Sequence, residues 1–129
     1  MEKIELDMGL RAYRVGEGVL RFHPGDPNVY ARFSQASGKL EELEAELRQS
    51  QQDPVEALEQ ADRRLKDLLG WIFGPGNDFD AICGGVSLLA VGENGKTLAQ
   101  SLLDALEPVL LEGAEGYAKA LAEQRLAHD

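Results

Sequence analysis

The hydrophobic period of this chain changes once, across Arg21-Phe22-His23-Pro24-Gly25-Asp26-Pro27, and the change restricts what it can fold into. Ahead of that point apolar residues sit at every second position, as in Ile4, Leu6 and Met8 among charged neighbours, the pattern of half-buried strands. Beyond it they recur every three or four positions, the pattern of amphipathic helices. The chain therefore reads as α+β, mainly α: an N-terminal β-hairpin of two to three strands, an antiparallel helical hairpin, and C-terminal helices, all in one domain.

The local chemistry agrees with that order. Gly16-Glu17-Gly18 separates two β-capable runs, a hairpin signal, so residues 1–24 are expected to form a small sheet. Pro24 removes a ladder donor and ends the second strand. Asp26-Pro27 is a helix start, with a carboxylate cap and a proline whose missing N–H is not needed. The same device returns at Asp53-Pro54, with Glu56 placed for a capping box, so residues 26–73 should hold two helices joined by Ser50-Gln51-Gln52-Asp53.

The first helix, from about Pro27 to Ser50, carries Val29, Phe33, Ala36, Leu40, Leu43 and Leu47 in a narrow seam, with a possible break at Ser37-Gly38. The second uses Val55, Leu58, Ala61, Leu65, Leu68 and Ile72, ends in Trp71-Ile72-Phe73, and is stopped by Gly74-Pro75-Gly76. Residues 74–96 read as an irregular Gly-rich loop containing one helical turn and a short apolar run, Val86 to Val91, expected as a strand or an extended segment. Residues 97–127 should form a C-terminal helix, or a kinked pair divided at Pro108, with a fraying tail.

Charge and cysteine content narrow the functional classes. Residues 41–129 carry seven Lys/Arg against eighteen Asp/Glu, within a net charge of −10 for the chain. Such an acidic body repels nucleic acid and anionic membranes, and no apolar run is long enough to span a bilayer. Arg11, Arg14, Arg21 and Arg32 are either a small basic face for an acidic partner or ordinary solvated charges. Acidic residues within "MEKIELDMG" do not suit a secretory leader, which predicts a cytoplasmic protein. A single cysteine, Cys83, forms neither an internal disulfide nor a multi-cysteine metal site.

Each catalytic motif has a plainer explanation. "AVGENGKT", Ala90 to Thr97, approximates a phosphate-binding loop, but the chain after it reads as helical and Glu93 places a carboxylate where phosphate would sit. Asp78 and Asp80 lack the further oxygen ligands of a calcium loop and suit helix capping. Cys83 has no base assigned to it by the sequence: His23 at a strand end and His128 in the tail are the sole histidines, and nothing in the sequence brings either to it. The expectation is a protein without catalytic residues, cofactor or metal, acting through surfaces. Phe33, Leu40, Leu43 and Leu47 of the first helix are candidate partner contacts, as are Trp71, Ile72 and Phe73 of the second and Val86, Leu88 and Leu89 of the loop. For the seam, the alternative is that it forms the core of the domain.

The arrangement over about residues 6–112 resembles a known group. "FHPGDPNVYARF" leads into the charged "KLEELEAEL", followed by "ADRRLKDLLGWIFG", a Gly-rich loop and "ENGKTLAQSLLDALEPVL". This order is similar to that of the small tail assembly chaperones of long-tailed bacteriophages and prophages. The resemblance implies a non-enzymatic role in the host cytoplasm, with no place in the mature virion. It implies binding of the helical tape-measure protein, recruitment of the tail-tube protein, self-association into a homo-oligomer, and in many cases a longer frameshifted form. A dimerising helical adaptor and, less so, a small nucleotide-binding protein using Ala90–Thr97 are the alternatives.

Overall fold

The computed structural model describes residues 1–128, with side chains through Gln124. Strand β1 (Arg11–Val15) and strand β2 (Gly18–Phe22) form a two-stranded antiparallel sheet in the register Arg11↔Phe22, Tyr13↔Leu20, Val15↔Gly18. The turn needs only Gly16-Glu17, with Gly16 at φ +58°, a left-handed value that favours glycine. Leu20 and Phe22 are buried, Tyr13 and Val15 half-buried, while Ala12, Arg14, Val19 and Arg21 form the wet face. The alternation of the hairpin is thus that of a sheet with one face on the core.

"KIELDM" does not add a third strand. Residues 1–10 pair with nothing in the sheet, and Ile4, Leu6 and Met8 are 84%, 71% and 64% exposed. Part of the reason lies at the far edge of β2, where the Asn77 side chain receives the Arg21 N–H at 2.9 Å and donates to the Arg21 carbonyl at 2.7 Å. One amide thereby takes the place of a neighbouring strand at that residue.

Helix α1 (Pro27–Gln49) and helix α2 (Pro54–Phe73) form the antiparallel hairpin, each with proline in the first turn. Asp26 accepts the Asn28 N–H and Asp53 the Val55 N–H, both at 2.9 Å, so each carboxylate satisfies a donor that the first turn leaves unpaired. Glu56 lies in the first turn of α2, but among the described residues it accepts no N–H that would close a capping box. Ser37-Gly38 does not break α1, because buried Ala36 and Leu43 anchor the helix on either side. Gly74, at φ +113°, ends α2 and donates to the Gly70 carbonyl at 2.9 Å.

A four-residue helix, α3 (Phe79–Ile82), is capped by Asp78, and a long helix, α4 (Leu98–His128), closes the body. Pro108 neither ends nor divides α4: it lies exposed inside the helix, with Leu106 before it and Leu110 after it both buried. Burial of these two leucines outweighs the one hydrogen bond that the proline removes. Val86 to Val91 is not a strand; the run turns on itself, and only Val91 bridges, to Thr97. The expected fraying of the tail concerns residues that, from Arg125 onward, lie outside the described side chains.

The core is a stack of aromatic rings seated in leucines. Tyr13, Phe22, Phe73 and Phe79 run from sheet to α2 to α3, with successive ring centroids 5.1, 4.8 and 6.1 Å apart. Val29, Ala36, Leu65, Leu69, Ile72, Leu106 and Leu110 surround them. Among the described residues no helix is long and apolar enough to cross a membrane.

Candidate partner-binding surface

The ten residues named from the sequence divide by burial. Leu43, Ile72, Phe73 and Leu88 belong to the core and can meet a partner only if the fold opens. Phe33, Leu40 and Leu47 are half-buried, packed against that core where α1 meets the other helices. The seam of α1 is thus turned largely inward. Trp71 is 43% exposed, with Lys39 Nζ 4.4 Å above the centre of its ring. Arg32 Nε donates to the Ile72 carbonyl at 3.0 Å, so Arg32 is tied into the body, and of the other three arginines only Arg14 and Arg21 share the wet face of the sheet. Val86 is exposed and Leu89 half-buried.

Leu89 borders a feature that the sequence did not reveal. An open groove of about 410 Å³ runs between the N-terminal half of α2 and the Gly-rich loop, lined by Leu58, Leu89 and Ala90 with Glu59 and Asp62. Val55, one turn before Leu58, is also exposed, so the apolar strip extends along α2. Leu58 and Val55 fall within the apolar repeat of α2. Their exposure follows because α1 covers the face of this half of α2 that carries Ala57 and Ala61, and Val55 and Leu58 lie off that face.

The loop wall of the groove is pinned by a buried lysine. Lys66 is only 9% exposed, and its ammonium lies 2.9 Å from Asp62 Oδ2 and 2.7 Å from Asp80 Oδ1. Asp62 uses its other oxygen to accept the Leu88 N–H at 2.7 Å. Burial pulls the Lys66 pKa down, but hydrogen bonds to Asp80 and Asp62, with the charges of both carboxylates, overcome this and leave it raised. The lysine stays charged and ties α2, α3 and the loop together. The i, i+4 spacing of Asp62 and Lys66 was visible in "ADRRLKD", whereas the contribution of Asp80 was not. The loop is also tied to α4, since Ala99 and Leu98 donate to the carbonyls of Leu88 and Ala90 at 2.9 Å.

The residues of the catalytic motifs hold structural positions. In Ala90–Thr97 the N–H groups of Gly92, Gly95 and Lys96 donate to Lys96 O, Gly92 O and Asn94 Oδ1, so they are not gathered around a phosphate. Lys96 pairs with Asp104 at 3.1 Å, and Thr97 Oγ1 accepts the Gln100 N–H at the start of α4. Asp78 caps α3 and Asp80 pairs with Lys66. Burial raises the Cys83 thiol above its ordinary value, against the opposing charge of Lys66, which leaves it a poor nucleophile at neutral pH. His23 sits at the β2–α1 corner with a buried, unpartnered Nδ1, and the side chain of His128 lies outside the described residues. No group of three metal-ligating side chains forms among the described residues.

Comparison with known proteins gives no match. No family model, no curated protein and no solved structure matches this chain.

Proposed function

We propose that this chain is a non-enzymatic tail assembly chaperone that holds amphipathic helical segments of a tape-measure protein in the host cytoplasm and helps bring tail-tube subunits to them. The observation that carries the reading is the groove: Leu58, Leu89 and Ala90, with exposed Val55 one turn before Leu58, beside the exposed carboxylate of Glu59. An amphipathic helix with one apolar face and flanking Lys or Arg complements both features. The negative charge of the body keeps such a complex dispersed, and Trp71 offers a second apolar contact. The groove is open and shallow, which suits transient holding better than permanent assembly.

The test is co-expression with the tape-measure polypeptide encoded in the same gene cluster, reading its soluble fraction and its co-elution with this chain. The wild type is expected to keep the polypeptide soluble and bound, and Leu58→Glu with Leu89→Glu to lose both while its circular dichroism and melting stay native. A tape-measure polypeptide that aggregates to the same extent with and without the wild-type chain overturns the proposal.

A further inference from the structure

The two edges of the small sheet are not equivalent. Val15 and Gly18 close a two-residue turn, so they form a hydrogen-bonded pair, and by alternation so do Tyr13↔Leu20 and Arg11↔Phe22. The N–H and C=O of Ala12 and Arg14 on β1, and of Val19 and Arg21 on β2, therefore point outward. Asn77 binds both outward groups of Arg21, which agrees with this alternation and closes the β2 edge there. Near the turn, α3 packs on the face of β2 that carries Leu20 and Phe22, where a Cβ on Gly18 would overlap the Ile82 carbonyl, so of the outward groups of β2 it is those of Arg21 that are closed. The β1 edge has no such cover. Among the described residues nothing bonds to the outward groups of Ala12 and Arg14.

A row of unpaired strand groups is a template for another strand. The chain carries one that has no place in its own sheet: Glu2–Met8, with Ile4, Leu6 and Met8 on one side and Lys3, Glu5 and Asp7 on the other. The arm has three acidic residues against one lysine, whereas the hairpin has three arginines, Arg11, Arg14 and Arg21, against Glu17. None of these three arginines is paired with a carboxylate among the described residues, and all three are exposed.

We infer that the arm of one copy adds to the β1 edge of a second copy, and that reciprocal addition makes a dimer of this chain. The register follows from faces and hydrogen bonds together. Setting Leu6 opposite Tyr13 and Ile4 opposite Val15 extends the apolar face of the sheet. The same register sets Glu5 opposite Arg14 and Asp7 opposite Ala12, so the hydrogen-bonded pairs fall on the two residues of β1 whose outward groups are free. It also places Glu5 and Asp7 beside Arg14 on the wet face, an opposite-charge arrangement across strands.

The arm does not reach this place in its own chain. In the same register the chain would have to reverse within Met8–Arg11, but Arg11 is held extended opposite Phe22. A tighter turn at Gly9-Leu10 would call on the N–H and C=O of Arg11 and Tyr13, which already serve β2. The chain instead leaves β1 across the β2–α1 corner, where Asp7, Met8 and Gly9 share a hollow with His23, Gly25 and Asp26. A second copy meets the requirement without disturbing β1. This inference does not depend on the groove or on the chaperone role.

The experiment is the molar mass of the full chain by light scattering across a concentration series, with charge exchange as the discriminating arm. The wild type is expected at twice the 14.1 kDa chain mass. Glu5→Arg and Arg14→Glu should each weaken the dimer at least about tenfold, and the double exchange should restore it. Leu6→Lys should dissociate it. Ala12→Pro should do the same, because it removes an outward donor that the β2 ladder does not use. Unchanged melting of the dissociated variants guards against misfolding, and mixing Leu6→Lys with Ala12→Pro should regenerate mixed dimers through the one intact arm and edge. A wild type that stays monomeric up to about 1 mM overturns the inference. So does a dimer indifferent to both the arm and the edge variants, or a charge exchange that fails to restore association.

Discussion

Replacing Lys66 with methionine tests the clamp that shapes the groove. Methionine keeps most of the buried stem volume and removes only the ammonium. Asp62, whose side chain is 17% exposed, then loses its counter-charge, and Asp80, 70% exposed, loses a partner that water largely replaces. Breaking a buried pair costs about 3–5 kcal/mol, but the Asp80 half belongs with surface pairs worth about 0–1 kcal/mol. Asp62 also keeps its bond from the Leu88 N–H, which lowers the cost. The expected loss is about 3 kcal/mol, or roughly 10 °C in Tm for a chain of this size.

The pH dependence gives an independent check. The Lys66 pKa is raised on folding, so its contribution is fully present below the ordinary value of 10.5 and is lost as pH rises through the higher folded value. The difference in Tm between the wild type and Lys66→Met should be level through neutral pH and shrink above about pH 10.5. Paired thermal melts by circular dichroism measure it. A loss below about 1 kcal/mol, or a difference undiminished into strong alkali, refutes the account of a charged clamp. Asp62→Asn, which keeps an oxygen for the Leu88 N–H, should lose less than Lys66→Met.

Two further predictions concern single positions. Gly113 and Gly116 both lie inside α4, so helix propensity alone would make alanine stabilising at each by about 1 kcal/mol. A Cβ at Gly116 meets open space and should show that gain, but at Gly113 it overlaps the Pro24 carbonyl, and Gly113→Ala should instead destabilise by about 1–3 kcal/mol in urea unfolding. Equal effects at the two sites would mean that α4 does not rest on the β2–α1 corner. Alkylation of Cys83 followed against pH should give a titration midpoint above 9.0, reflecting its burial; a midpoint near 8 would place the thiol in an exposed setting.

How much of this was legible in the sequence can be seen element by element. Asp26-Pro27, Asp53-Pro54 and Gly74 act through bonds to residues at most a few positions away, and the structure has those caps where the sequence places them. The hairpin was legible for the same reason. Pro108 left one helix and a divided pair both open, because its cost is local whereas the compensating burial of Leu106 and Leu110 comes from the rest of the fold. "KIELDM" misled, since alternation states that a strand is possible without supplying an edge to receive it.

The candidate surface was legible only in part. Val86, Leu89 and Trp71 were named in advance and are at least partly exposed, but Leu43, Ile72, Phe73 and Leu88, named on the same grounds, are core. Period alone determines which residues share a side of a helix. It does not determine whether that side faces another helix or water, because this depends on which element returns to cover it. The sequence by itself therefore settled the order of elements, their caps and their amphipathic faces, all consequences of short-range geometry. Only the tertiary structure decided that Leu58 and Val55 lie bare and that Lys66 joins Asp62 to Asp80, and it alone left the β1 edge open. Each of these is an encounter between segments distant along the chain, and no local pattern encodes it.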